Sequence, residues 1–137
     1  MSFEQSPPAS DPYHSDKRSG LRVLVVDDNP SKRYSMARSL SAAGFTVDEA
    51  ACGREGIERL GGHHAVVLDV DLPDVNGFDA CREMRRKAPG VPIVQVSSVF
   101  TQESYRAAGR LAGATTYLAD PGVTELIEAV DSVLNKR

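Results

Sequence analysis

The sequence predicts one doubly wound α/β domain built on a five-stranded parallel sheet. From residue 21 onward, strand-like and helix-like segments alternate five times. Several strand segments are apolar throughout, as is typical of strands that helices cover on both faces. We expect the strand order 2-1-3-4-5, in which the direction of winding reverses between the first and third strands.

The elements follow one another in a regular order. The strands are predicted at Leu21–Val26, Thr46–Ala50, Ala65–Asp69, Pro92–Val96 and Thr115–Ala119, with helices between them and after the last. Asn29 is a suitable cap for the first helix, Pro30 suits its first turn, and Gly44 ends it. The last helix shows an apolar stripe of Val123, Leu126, Ile127, Val130, Val133 and Leu134.

Composition narrows the function classes. The chain has 137 residues, of which 41% are hydrophobic and 26% charged, which suits one domain with a full core. A net charge of -3 argues against nonspecific nucleic-acid binding, and the apolar stretches are too short to span a membrane. Cys52 and Cys81 match no metal motif, and no signal peptide follows Met1. We therefore expect a cytoplasmic protein with reduced thiols.

The N-terminal segment differs from the rest of the chain. Residues 1–20 contain three prolines and five serines with little to bury, which predicts a flexible leader. The domain is expected to occupy residues 21–135. We expect no DNA-binding output domain after the last helix.

Three carboxylates are expected to meet at one edge of the sheet. Asp27 and Asp28 follow the first strand and Asp69 ends the third. Because the carboxyl ends of parallel strands share an edge, these groups are predicted to form a pocket. Oxygen ligands favour a hard cation such as Mg²⁺. The alternative interpretation is that Asp27 and Asp28 only cap the first helix and Asp69 only ends a strand.

Four ordered motifs carry a family resemblance. They are residues 25–30 (VVDDNP), 68–77 (LDVDLPDVNG), 92–98 (PIVQVSS) and 112–117 (AGATTY). Together they resemble the receiver domain of two-component response regulators over about residues 21 to 134. The resemblance implies a flavodoxin-like fold and a phosphoacceptor signalling domain rather than an enzyme with an external substrate.

The resemblance also implies a set of site residues. A histidine kinase or phosphotransfer protein would donate a phosphoryl group to Asp69. Asp28 would bind Mg²⁺ directly, Asp27 through water, and Asp71 through its backbone carbonyl. We expect a monomer or weak dimer.

Two further residues would carry the switch in such a domain. Ser97 would hydrogen-bond the phosphoryl group and Tyr117 would turn inward, which changes the surface of the fourth helix, fifth strand and fifth helix where a downstream protein docks. Without the aspartates, Ser97 is better interpreted as a strand-end hydroxyl bonded to the backbone, and Tyr117 as a packing aromatic.

One position departs from the family pattern. Receivers ordinarily carry a Lys just before the proline after the fifth strand, whereas this chain has Asp120 and Pro121. The reversed charge is expected to raise the demand for metal and weaken the coupling between phosphorylation and shape. This ending resembles that of receivers linked to hybrid sensor kinases. If another residue supplies the missing cation, Lys32 and Arg33 are the nearest candidates in the first helix.

Two other functions compete with the phosphorylated switch. A degenerate receiver would dock partners without phosphorylation. The pair Asp69 and Asp71 also resembles the nucleophile motif of haloacid-dehalogenase-type phosphatases. That fold places its motif on the first strand, and no Thr follows Asp71 here, so the sequence disfavours it.

Overall fold

The computed structural model describes residues 12–97 and 103–135. In the second range, side chains are described from residue 106 onward. The strands are β1 (Arg22–Val26), β2 (Thr46–Ala50), β3 (Ala65–Asp69), β4 (Ile93–Ser97) and β5 (Thr116–Ala119). The helices are α1 (Pro30–Ala42), α2 (Gly53–Glu58), α3 (Gly77–Lys87), α4 (Glu103–Ala112) and α5 (Val123–Asn135). All paired strands are parallel, in the order β2-β1-β3-β4-β5, which confirms the predicted fold class.

The sheet is covered on both faces, as continuous apolar strands require. Alternate residues of β1, β3 and β4 point to opposite sides. One core layer joins Val23, Val25, Val67, Val94 and Val96 to α1 and α5. The other joins Leu24, Val26, Val66, Leu68 and Ile93 to α3 and α4. Within the described ranges, no helix combines the length and the apolar character that crossing a bilayer requires.

The first helix begins and ends where the sequence predicts. The Asn29 side chain accepts a hydrogen bond from the backbone N–H of Lys32 at 3.0 Å, and Pro30 occupies the first turn. After the last helical residue the chain turns at Gly44, whose φ of +117° favours glycine. These caps fix the position of α1 beside the end of β1.

Residues 12–20 pack against the domain. The backbone N–H of Ser15 donates to the Ala43 carbonyl at 3.0 Å. The Arg18 guanidinium donates to both carboxylate oxygens of Asp131 on α5, at 2.9 and 2.7 Å, and lies 5.5 Å from the centre of the Phe45 ring. The remainder of the predicted leader, residues 1–11, lies outside the described residues, and the boundary between leader and domain stays a prediction.

We expect Arg18→Ala to lower the free energy of unfolding by about 1–2 kcal/mol. It removes a two-pronged, partly buried ion pair and the Arg18 hydrogen bond to the Ala43 carbonyl. Urea denaturation measures the change, with Lys17→Ala as the control because Lys17 is exposed. A loss of the same size in both variants would show that the Arg18 contacts with Asp131 and Ala43 make no specific contribution to stability.

Candidate functional site

The parallel register places two carboxylates side by side at the carboxyl edge of the sheet. Val26 of β1 pairs with Leu68 of β3, so the residues that follow them, Asp27 and Asp69, emerge together. Asp28 follows on the loop. One carboxylate oxygen from each of the three aspartates lies within 4.8 Å of the others. The structure thus brings these three predicted metal ligands together.

Burial makes this cluster electrostatically unfavourable on its own. Asp27 is 0% exposed and Asp69 is 2% exposed, whereas Asp28 is exposed. Burial and the neighbouring charge of Asp27 raise the pKa of Asp69 from 3.8 to about 7, against the opposing effect of Lys32. Burial likewise raises the pKa of Asp27. Such a pocket favours a proton or a cation among its oxygens.

The carboxylate oxygens differ in their partners. Asp27 Oδ1 accepts a hydrogen bond from the Asn29 backbone N–H at 2.9 Å. Asp27 Oδ2 and Asp69 Oδ1 are buried and accept no hydrogen bond from the described part of the chain. Lys32 Nζ lies 3.6 Å from each of these two oxygens. Three oxygen donors, two of them with unused capacity, fit a hard divalent cation such as Mg²⁺.

The loop after β3 is held by its own contacts. The Asp74 carboxylate accepts hydrogen bonds from the backbone N–H groups of Gly53 and Arg54, both at 2.9 Å. Asp74 therefore caps α2, whereas Asp71 is exposed two residues after Asp69. A Cβ atom at Gly77 would collide with the backbone of Asp69 and Val70, so glycine permits this close return of the chain.

Ser97 and Tyr117 lie on neighbouring strands. Ser97 ends β4 and is 1% exposed, and Tyr117 of β5 is 4% exposed. Sequence reasoning did not identify the neighbours of Tyr117. The Phe78 ring stacks on it with centroids 6.5 Å apart, and Arg106 donates to its backbone carbonyl at 3.0 Å. The Tyr117 ring is therefore buried toward α3 and α4.

Asp120 differs from the other aspartates of the site. It is exposed and has a φ of +48°, a left-handed conformation that Asp tolerates better than most residues. Its backbone N–H donates to the Ser97 carbonyl at 2.6 Å, which ties the loop after β5 to the end of β4. Among the described residues no ion pair involves the Asp120 carboxylate.

A cavity of about 210 Å³ lies between α1 and the start of α5. Lys32 borders it on the α1 side, and Asp120 borders it on the side of the loop after β5. Ser97 also lines it. None of the three carboxylates is among its lining residues, but Lys32, which lies 3.6 Å from Asp27 and Asp69, shares this cavity with the loop after β5.

Known proteins share this fold, and the matched region of this chain includes all three aspartates of the cluster. A family model described as the response regulator receiver domain matches residues 23–131. The chain belongs to this family. It is a receiver domain of two-component signalling, a class of signalling domain.

Three relatives illustrate the similarity. The transcriptional regulatory protein TcrA of Mycobacterium tuberculosis is 39% identical over 75% of this chain and 41% of its own length. The response regulator MprA of Mycolicibacterium vanbaalenii is 38% identical over 85% of this chain and 51% of its own length. The crystal structure of the chemotaxis protein CheY4 of Vibrio cholerae has a TM-score of 0.77 and 28% identity, and covers 84% of this chain and 99% of that one. The receiver thus spans about two fifths to one half of these two curated relatives.

We expect millimolar Mg²⁺ to raise the melting temperature of the receiver more at pH 8 than at pH 5. The folded state retains the Asp69 proton up to about pH 7, whereas the unfolded state loses it near 3.8. Metal-free stability therefore falls as the pH rises between these values, and the ionised ligands then bind the cation. Each tenfold excess over the dissociation constant adds about 1.4 kcal/mol.

Thermal denaturation with Mg²⁺ or with a chelator tests this expectation. Asp28→Ala removes an exposed predicted ligand and should lose most of the shift, whereas Asp79→Ala on the exposed surface of α3, outside the cluster, should keep it. An equal shift in wild type and Asp28→Ala would show that the ion acts elsewhere.

Proposed function

We propose that this receiver accepts a phosphoryl group on Asp69 from the phosphohistidine of a histidine kinase or a phosphotransfer protein. The observation that carries the proposal is the Asp69 carboxylate, buried at the sheet edge beside two further carboxylates in a chain of the receiver family. In this role the domain promotes only its own phosphorylation and dephosphorylation, in the cytoplasm.

The chemistry follows from the positions of the carboxylates. An Asp69 oxygen attacks phosphorus, an O–P bond forms, and the P–N bond to the donor imidazole breaks with the electron pair leaving on nitrogen. Asp27, Asp28, Asp69 and the backbone carbonyl of Asp71 would hold Mg²⁺, which supplies positive charge for the transferring group. Asp28 would bind the ion directly and Asp27 through water, while an oxygen of Asp69 reacts.

The response would pass from the site to the surface of α4, β5 and α5. Ser97 lies at the end of β4, where its hydroxyl would hydrogen-bond the phosphoryl group. Tyr117 of β5 is buried against Phe78, and Arg106 of α4 donates a hydrogen bond to its backbone carbonyl. A change at Ser97 would therefore alter the packing of α4 on β5, where a downstream protein docks. We propose a monomer or weak dimer.

One observation favours a second candidate function. Asp120, an exposed carboxylate, stands where the resemblance predicts a lysine, so this position provides no positive charge from the loop after β5. A receiver with weakened coupling would serve as a docking module whose partners bind without phosphorylation. The resemblance to receivers linked to hybrid sensor kinases fits such a companion role.

Asp69 should be the sole phosphoacceptor. Treatment with acetyl phosphate and Mg²⁺ is expected to add one phosphate to the wild type and none to Asp69→Asn. Asp71→Asn should still be phosphorylated, because the proposal uses only the backbone carbonyl of Asp71. Asp74 is not expected to react, because its carboxylate caps α2. Intact-mass spectrometry measures the addition. Phosphate on Asp69→Asn would assign the reaction to another residue.

Asp120→Lys should widen the conformational response to phosphorylation. A lysine on the loop after β5 would link the phosphoryl group to that loop through a charge-assisted contact of about 1–3 kcal/mol. We expect beryllofluoride, a phosphoryl mimic, to shift wild-type NMR signals mainly near Asp69 and Ser97. In Asp120→Lys the shifts should extend to Tyr117 and α5.

The matched control is Asp120→Ala, which removes the negative charge without adding a cation. It should resemble the wild type if the linking contact is the decisive change. A wide response in the wild type itself would contradict weak coupling and remove the main support for the docking module.

A further inference from the structure

A lysine ammonium faces the two buried carboxylates of the acidic site. Lys32 Nζ is 3.6 Å from both Asp27 Oδ2 and Asp69 Oδ1, slightly longer than a hydrogen bond. These same oxygens accept no hydrogen bond within the described ranges. The Lys32 side chain is 39% exposed, whereas those of Asp27 and Asp69 are 1% and 3% exposed. Its charged end therefore reaches the edge of a buried acidic pair.

The start of α1 sets this position. Asn29 accepts the backbone N–H of Lys32, which fixes Lys32 in the first helical turn beside the end of β1. Arg33, the neighbouring cation, is engaged elsewhere. Its guanidinium donates to Glu49 on β2 at 3.0 Å and to the Asp27 backbone carbonyl at 2.8 Å. Lys32 is thus the member of this pair that faces both carboxylates.

The cavity shows that Lys32 and position 120 approach the site from the same region. Both residues line this space of about 210 Å³, one from α1 and the other from the loop after β5. On the α1 side, the Lys32 ammonium is 3.6 Å from Asp27 Oδ2 and Asp69 Oδ1. Of these two positions, Lys32 on α1 carries a positive charge and Asp120 carries a negative one.

We propose that Lys32 supplies, from α1, the positive charge that contacts the phosphoryl group on Asp69. This inference rests on the proposed function. When Asp69 becomes an acyl phosphate, its single negative charge is replaced by a group with several anionic oxygens, which an adjacent ammonium stabilises. Because Lys32 belongs to α1, this stabilisation does not pull on the loop after β5. Charge compensation and movement of that loop are thereby separated.

Phosphorylation of charge variants tests the role of Lys32. Acetyl phosphate transfers its phosphoryl group to Asp69 as the P–O bond to the acetyl group breaks and acetate leaves with the electron pair. With saturating Mg²⁺, Lys32→Met should be phosphorylated about tenfold more slowly than the wild type and should bind beryllofluoride about tenfold more weakly. Intact mass gives the rate, and NMR titration gives the affinity.

Three variants exclude a merely structural effect. Lys17→Met removes the same charge at an exposed site and should behave as the wild type. The double variant Lys32→Met with Asp120→Lys should recover at least part of the rate and affinity, because both positions border one cavity. Lys32→Gln keeps a polar group without the charge and gives the same comparison if the methionine variant does not fold.

The outcomes separate this inference from the function on which it rests. Absence of phosphate on the wild type would overturn both. Phosphorylated wild type with equal rates and affinities in Lys32→Met or Lys32→Gln would overturn the role of Lys32 alone. Loss in the single variants with recovery in the double variant would establish it.

Discussion

The arrangement of the whole site depends on two like charges buried at one edge of the sheet. The pairing of β1 with β3 fixes the backbone positions of Asp27 and Asp69, and the surrounding apolar strands keep water away from them. At low local dielectric their repulsion is strong, and burial disfavours each charge further. The region therefore requires compensating positive charge. Lys32 provides part of it, and the same two carboxylate oxygens, which accept no hydrogen bond within the described ranges, would also suit a divalent cation.

The surrounding loops serve to hold this unfavourable cluster in place. The Asn29 cap positions the first turn of α1, which carries Lys32. On the other side, Asp74 caps α2 and Gly77 lets the loop after β3 return against its own strand. These contacts fix the backbone on both sides of the carboxylates. A rigid frame of this kind keeps the carboxylates in position.

Two sets of contacts lie between the site and the surface of α4 and β5. The loop after β5 is bound to β4 through the hydrogen bond from Asp120 N–H to the Ser97 carbonyl. Tyr117 is buried against Phe78 and bound by Arg106, so α3, α4 and β5 share one packed region. Because position 120 carries a carboxylate, the described contacts between the end of β4 and this region are the Asp120 backbone hydrogen bond and the packing around Tyr117.

Sequence pattern alone predicted the fold class, the strand order and the caps of the first helix. Apolar strands alternating with amphipathic helices are local patterns, and their physics admits few topologies. The meeting of Asp27, Asp28 and Asp69 also followed from pattern, because parallel strands end at a common edge. Two contacts became evident only in the folded chain: Lys32 rather than Arg33 faces both buried carboxylates, and Arg18 pairs with Asp131 more than a hundred residues away. Side-chain rotamers and contacts between distant segments depend on how the helices dock, and no local pattern encodes that.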